Sequence, residues 1–220
     1  MPQTFYSEEE YGEIRRINSC FVEQLQNVAE RAASKSLSSE ERDEWQKKGR
    51  FDFIPNYSLN LINILRELYK INDKALGTYP PDTRTFCDAG SGIGIPSFLF
   101  KVFFPYTFCT GVELNKNVAG KDIFNDVVIN DDILKFEGYG KFDVIYYYSP
   151  LRDDVLERVF EKRVEDQCKV GCVLICCRKR NDATFKDSRF RQVRSEVLKN
   201  NGCDVFVKVS NKKRKTRRTE

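Results

Sequence analysis

Phe86-Cys87-Asp88-Ala89-Gly90-Ser91-Gly92-Ile93-Gly94 is the stretch on which the fold of this chain turns. A short apolar run ends in an acid, passes through three alternate glycines and enters a helix-length apolar segment. Glycines allow positive φ and let a ligand approach the backbone closely, and the helix N-terminus beyond them offers free N–H groups. A bare G-x-G-x-G would also suit a nicotinamide-cofactor site or a tight turn. Here the pattern is D-x-G-x-G-x-G, not G-x-G-x-x-G. The acid in front would repel a pyrophosphate and suits a cationic group.

Outward from this turn, short apolar runs alternate with helix-length stretches, the βα rhythm of a parallel sheet. The runs predict strands at 85–88, 108–113, 126–130, 142–147, 170–177 and 204–209, with helices over 95–104, 115–124, 153–167 and 187–200. Upstream the reading is helical. Ile14, Ile17, Phe21, Leu25 and Val28 form a 3.6-period stripe within 7–33. Ser38 with Glu41 makes a capping-box pattern for a short helix through Trp45, which Gly49 is placed to stop. Ile54-Pro55-Asn56 reads as a turn. Ser58 can cap an apolar helix over 59–71, and Pro80-Pro81-Asp82 ends the region. No internal repeat is present.

Three further motifs follow the glycine turn. Glu113 falls at the end of the second strand, where an acid can accept two ribose hydroxyls. Asn130-Asp131-Asp132-Ile133 follows the third strand and pairs an acid with an apolar neighbour. Phe142-Asp143-Val144-Ile145-Tyr146-Tyr147-Tyr148-Ser149-Pro150 brings the fourth strand to the carboxyl edge, where ligands bind in such sheets. Of its three tyrosines, strand alternation leaves Tyr148 best placed for substrate.

In this order and spacing, the four elements closely resemble the class I S-adenosylmethionine-dependent methyltransferase family, over roughly Thr83 to Val209. The resemblance implies an α/β fold: a Rossmann-like, doubly wound, mostly parallel sheet with a helical N-terminal extension. It divides the chain into an extension (1–80), a cofactor-binding domain (81–210) and a basic tail (211–220). It implies S-adenosylmethionine as cofactor. Asp88, Gly90 and Gly92 would line its methionine part, with Ser91 and Gly94 completing the turn. Glu113 would hold the ribose, and Asp132 with Ile133 the adenine. Tyr148, Ser149 and Pro150 would face the methyl acceptor. Two features depart from the family. Tyr148-Ser149-Pro150-Leu151 replaces the Asp/Asn-Pro-Pro-aromatic of enzymes that methylate amino groups of nucleic acids. No apolar run is left for the family's antiparallel seventh strand, so either the basic tail covers that edge or the sheet stops at six.

Composition narrows the rest. The 220 residues are 40% apolar and 32% charged, with eight cysteines and no histidine. Histidine's absence removes the commonest general base and metal ligand and any Ser-His or Cys-His nucleophile. No apolar run is long enough to cross a bilayer, and the acidic start lacks a signal-peptide core. The cysteines are expected to be reduced thiols. Cys168, Cys172, Cys176 and Cys177 contain no C-x-x-C pair and read as buried small hydrophobes, so no metal site is expected.

Charge is uneven. Residues 1–45 hold ten acids and five bases, and the last ten hold six bases and one acid. Such a tail suits polyanions or an import signal, giving a nuclear or cytoplasmic location. Arg178, Lys179, Arg180, Lys186, Arg189, Arg191 and Arg194 form a second basic cluster. The expected function is methyl transfer, by proximity and alignment, to a macromolecule: RNA, DNA or a basic nuclear protein. The alternative is an inactive methyltransferase-like subunit that holds nucleic acid or a protein partner, and the first helix could bind such a partner. An NAD-type oxidoreductase is disfavoured by the glycine spacing.

Overall fold

The computed structural model describes residues 7, 9, 12–13, 16, 20, 38–48, 58–75, 85–105 and 107–212. Of the expected first helix, residues 9, 12–13, 16 and 20 are described and helical. The turn at Ile54-Pro55-Asn56, the stop at Gly49 and the tail beyond Lys212 lie outside the described residues.

Among the described residues, α1 (Ser39–Lys47) and α2 (Ser58–Ala75) lead to the sheet. The alternation then runs β1 (Thr85–Ala89), α3 (Ile95–Phe103), β2 (Phe108–Val112), α4 (Lys116–Ala119), β3 (Val127–Ile129) and β4 (Val144–Tyr148). It continues with α5 (Asp154–Gln167), β5 (Val173–Cys177), β6 (Phe190–Val193), α6 (Glu196–Asn200) and β7 (Cys203–Lys208). Side chains start several of these helices. Asn115 accepts the N–H groups of Asn117 and Val118, and Asp153 those of Val155 and Leu156.

The strands form one seven-stranded sheet in the order β3-β2-β1-β4-β5-β7-β6. β1 to β5 pair in parallel, while β7 is antiparallel to both β5 and β6. Two apolar layers cover it. On one face Phe86, Val144, Tyr146 and Ile175 meet Leu61, Leu65 and Leu68 of α2, Leu99 of α3 and Leu198 of α6. On the other, Cys87, Ile145, Tyr147 and Leu174 meet Phe160 and Val164 of α5. The alternation along each strand divides its residues between the layers. Cys172 and Cys176 accordingly share one layer and Cys177 takes the other.

The sheet corrects the expectation of six strands and of a helix over 187–200. Phe190, Val193, Val197 and Leu198 fall at helical spacing, which conceals two elements. Phe190 and Val193 are three apart, an odd step that sends them to opposite layers of a strand. Ser195 then accepts the Val197 N–H and starts α6. The run at Cys203–Lys208, expected as a sixth strand, is the antiparallel one, inserted between β5 and β6.

Candidate active site

Every predicted site residue lies at the carboxyl edge of the parallel strands. After β1 the chain makes its turn with Gly90, Gly92 and Gly94 all at positive φ (80°, 57° and 82°). The N–H groups of Gly90 and Ser91 donate to the Val112 carbonyl at 2.9 and 3.1 Å, folding the turn onto β2. A Cβ on Gly90 would lie 2.9 Å from Cβ of Pro150, and one on Gly94 only 2.3 Å from Oδ1 of Asp122. Both positions therefore exclude a side chain on conformational and steric grounds.

The turn encloses an acidic cluster. Asp88 is 1% exposed, and its Oδ2 has no hydrogen-bond partner among the described residues. The same holds for Oγ of Ser91. Burial pushes the Asp88 carboxyl well above its ordinary range, and the charges of Asp122 and Glu113 push it further. Glu113 is also raised, by burial first, although the N–H groups of Asn115 and Gly92 oppose the shift. Those N–H groups donate to Oε1 at 2.7 Å and Oε2 at 3.0 Å. The Leu114 N–H acts in the same direction.

The loop after β3 sits beside Glu113. Asn130 donates from Nδ2 to the carbonyls of Glu113 and Leu114, at 2.8 and 2.9 Å, and so ties the two loops together. Asp132 is buried, and its Oδ1 accepts the Leu134 N–H at 3.1 Å. Ile133 is buried and packs in the second layer. Past β4, Ser149 is buried at φ 36° and its N–H donates to the Cys177 carbonyl. Pro150 reaches the glycine turn, so the expected acceptor loop and cofactor turn meet at Gly90–Pro150. Tyr148 is half-buried against the first layer, with the Arg178 guanidinium 5.2 Å from its ring centroid. Arg178 itself has φ 56°. Such non-glycine outliers concentrate at functional sites.

No protein-family model matches the chain, and no curated protein does. Solved structures do. A putative S-adenosyl-L-methionine-dependent methyltransferase from Methanococcus maripaludis is 12% identical, with 79% of this chain and 93% of that one covered and a TM-score of 0.51. The S-adenosylmethionine-bound magnesium protoporphyrin IX methyltransferase of Synechocystis PCC 6803 is 14% identical over 78% of this chain and 92% of that one (TM-score 0.48). A sugar N-methyltransferase from Streptoalloteichus sp. ATCC 53650 is 18% identical over 62% of this chain (TM-score 0.43). This chain spans 56% of the length of that enzyme. The match to the first of these spans most of both chains.

The chain has the class I methyltransferase fold.

Several residues of this methyltransferase-fold site escaped the motifs. Asp122 and Asn125 pack on Gly94, Asn130 joins two loops, and Arg178 covers Tyr148. Glu157 accepts the Leu151 N–H at 2.8 Å and so secures the loop that begins at Ser149. Asn130 stood inside a motif already singled out. The others come together only through the fold.

Proposed function

We propose that this chain is an S-adenosylmethionine-dependent methyltransferase acting on a macromolecule. The observation that carries the cofactor reading is Asp88. A buried carboxylate oxygen without a partner is costly, on the order of 1–3 kcal/mol. Its charged influences, Asp122 and Glu113, are both acids. The cluster therefore favours a cationic ligand and disfavours a pyrophosphate, which separates S-adenosylmethionine from NAD. In this reading Asp88 and Ser91 take the cofactor's amino group. Glu113 takes the ribose, and Asp132 with Ile133 flanks the adenine.

The bound cofactor would supply a methyl group already activated on sulfonium. The protein's part is to align an acceptor and exclude water, with Tyr148, Ser149 and Pro150 bordering the acceptor side. Nucleic acid or a basic nuclear protein is the acceptor class, and the basic tail suits a nuclear site of action. Tyr148-Ser149-Pro150 counts against transfer to a base amino group. It is also the feature that favours the second reading, a non-catalytic binding subunit. Radiolabelled methyl transfer to fractionated RNA, DNA and protein separates the two.

The cofactor reading is tested by thermal unfolding. At about 100 times its dissociation constant, S-adenosylmethionine or its demethylated product should add ~2.7 kcal/mol of stability, and NAD none. Asp88→Asn should abolish most of that gain. The same variant without cofactor should be at least as stable as the parent near neutral pH, because it removes a buried unpaired carboxylate. A full cofactor shift in Asp88→Asn would overturn the assignment.

A further inference from the structure

The antiparallel strand carries the carboxyl edge of the sheet beyond the site described above. Cys203, which opens β7, pairs with Cys177, which ends β5. The Arg178 N–H donates to the Gly202 carbonyl at 2.9 Å, and the Ser149 N–H to the Cys177 carbonyl at 3.2 Å. Tyr148–Ser149, Cys177–Arg178 and Gly202–Cys203 are thus successive neighbours along one edge. Next to them opens a cleft of about 520 Å³, lined among others by Phe185, Arg194, Lys199 and Cys203. That volume lies within the roughly 300–1,000 Å³ typical of ligand sites.

Charge and aromaticity along this edge point to an occupant. Three members of the basic cluster are consumed inside the fold. Lys179 is held by Glu161 and Glu165, Arg180 by Asp154, and Arg189 by Asp187 and Asp166. Arg178 at one end of the edge and Arg194 and Lys199 in the cleft are instead exposed to solvent. Against them stand Glu196 and Asp204. Asp204 accepts from Nε2 of Gln192, and burial pushes its carboxyl above the ordinary range. In the same cleft lining, Phe185 is 45% exposed, and its ring meets that of Phe206 edge-to-face at 5.2 Å.

We propose that this cleft binds single-stranded nucleic acid leading into the acceptor site, with Phe185 stacking on a base and Arg178, Arg194 and Lys199 meeting phosphates. The proposal rests on the methyltransferase reading for its purpose, not for its geometry. Cations and an accessible ring in one cleft are the elements of single-strand binding, because every base presents a flat face and every link a charge. A ring recessed in a cleft cannot stack on bases already paired within a duplex. An acidic peptide would meet the cations but has no flat face for Phe185.

The test uses the full chain and a fluorescent twelve-nucleotide oligothymidylate, with anisotropy read over a salt series. Replacing Arg178, Arg194 and Lys199 together by alanine should weaken binding at least tenfold. It should also flatten the log–log salt slope by about 2, at ~0.7 per lost phosphate contact. Phe185→Ala should weaken binding about tenfold, within the range for one base stacked on a ring, and leave the slope unchanged. Single Arg194→Gln and Lys199→Gln variants guard against misfolding of the triple variant, and each should remove part of the slope. The Phe185→Ala, Arg194→Gln and Lys199→Gln variants should keep the parent's thermal shift with S-adenosylmethionine. A parent that binds the oligonucleotide without any cofactor shift would sink the cofactor reading and leave this one standing. Unchanged affinity and slope in the variants would overturn the cleft. So would equal losses on a duplex of the same length, or tighter binding of polyglutamate than of the oligonucleotide.

Discussion

Lys179→Met is expected to cost about 3–5 kcal/mol of stability, the range for removing one partner of a buried ion pair. Lys179 Nζ lies 2.8 Å from Oε1 of Glu165 and 3.1 Å from Oε2 of Glu161, and the three side chains are at most 5% exposed. It also reaches the Tyr147 hydroxyl at 3.4 Å. The partners are tied further. Glu161 accepts the N–H groups of Arg180 and Asn181, and Glu165 accepts from the Thr184 hydroxyl and Asn181 Nδ2. Methionine fills much of the lysine's volume, so a cavity contributes little to the loss. What remains is two buried carboxylates without their cation. The acids hold the lysine's own proton affinity above its ordinary value, despite burial. Its contribution is therefore fully present below about pH 10.4 and should be constant from pH 6 to 9. Adding Glu161→Gln and Glu165→Gln to Lys179→Met should recover a large part of the loss, because no buried charge then lacks a counterion. Urea unfolding of the single and triple variants measures both. A single-variant loss below about 1 kcal/mol would show that the network is solvated.

That network marks where reading the sequence stops. Glu157, Glu161 and Glu165 recur every four residues, a pattern that ordinarily describes a solvated helix face. In α5 all three are buried, while Val155 and Val159 are exposed. The inversion is caused by Lys179 and its neighbours, which arrive from the end of β5, and nothing local to the helix announces it. The same pairing removes Lys179, Arg180 and Arg189 from a basic cluster that looks uniform in sequence. The glycine turn was legible for the opposite reason. Positive φ, close backbone approach and an acid at the strand end are demanded of nine consecutive residues, so their types record the constraint. Asp88, Gly90, Glu113 and Pro150 are brought to one edge because parallel βα units put every strand end on the same side. Arg178 and Glu157 enter that edge through contacts made 30 and 6 residues away. β6 was hidden by coincidence, since a strand of four residues followed by a short helix reproduced the apolar spacing of one longer helix.

Glu157→Gln should change how the stability of the fold depends on pH. Glu157 is 0% exposed, with Oε2 on the Leu151 N–H and Oε1 buried without a partner among the described residues. Burial pushes its carboxyl up to about 8, and Glu161 adds to the shift. The Leu151 N–H and the charges of Arg180 and Lys179 oppose it. The folded protein therefore keeps a proton that the unfolded chain releases near pH 4.3. For an acid raised in this way, stability falls as pH rises from about 4.3 to about 8 and is flat above. The full loss would be on the order of 5 kcal/mol, because each tenfold in proton affinity is worth 1.36 kcal/mol. Glutamine has no proton to lose. Its oxygen can still accept the Leu151 N–H, while its amide faces the position where Oε1 had no partner, much as a protonated acid would. Near pH 5 the variant should therefore match the parent to within about 1–2 kcal/mol, the scale of one unsatisfied amide donor. By pH 8 it should be the more stable of the two, with the difference growing throughout the interval. Denaturant unfolding at half-unit steps from pH 5 to 9 measures the divergence directly. Parallel curves would mean that Glu157 is ionised in the fold throughout, with its charge compensated by Lys179 and Arg180.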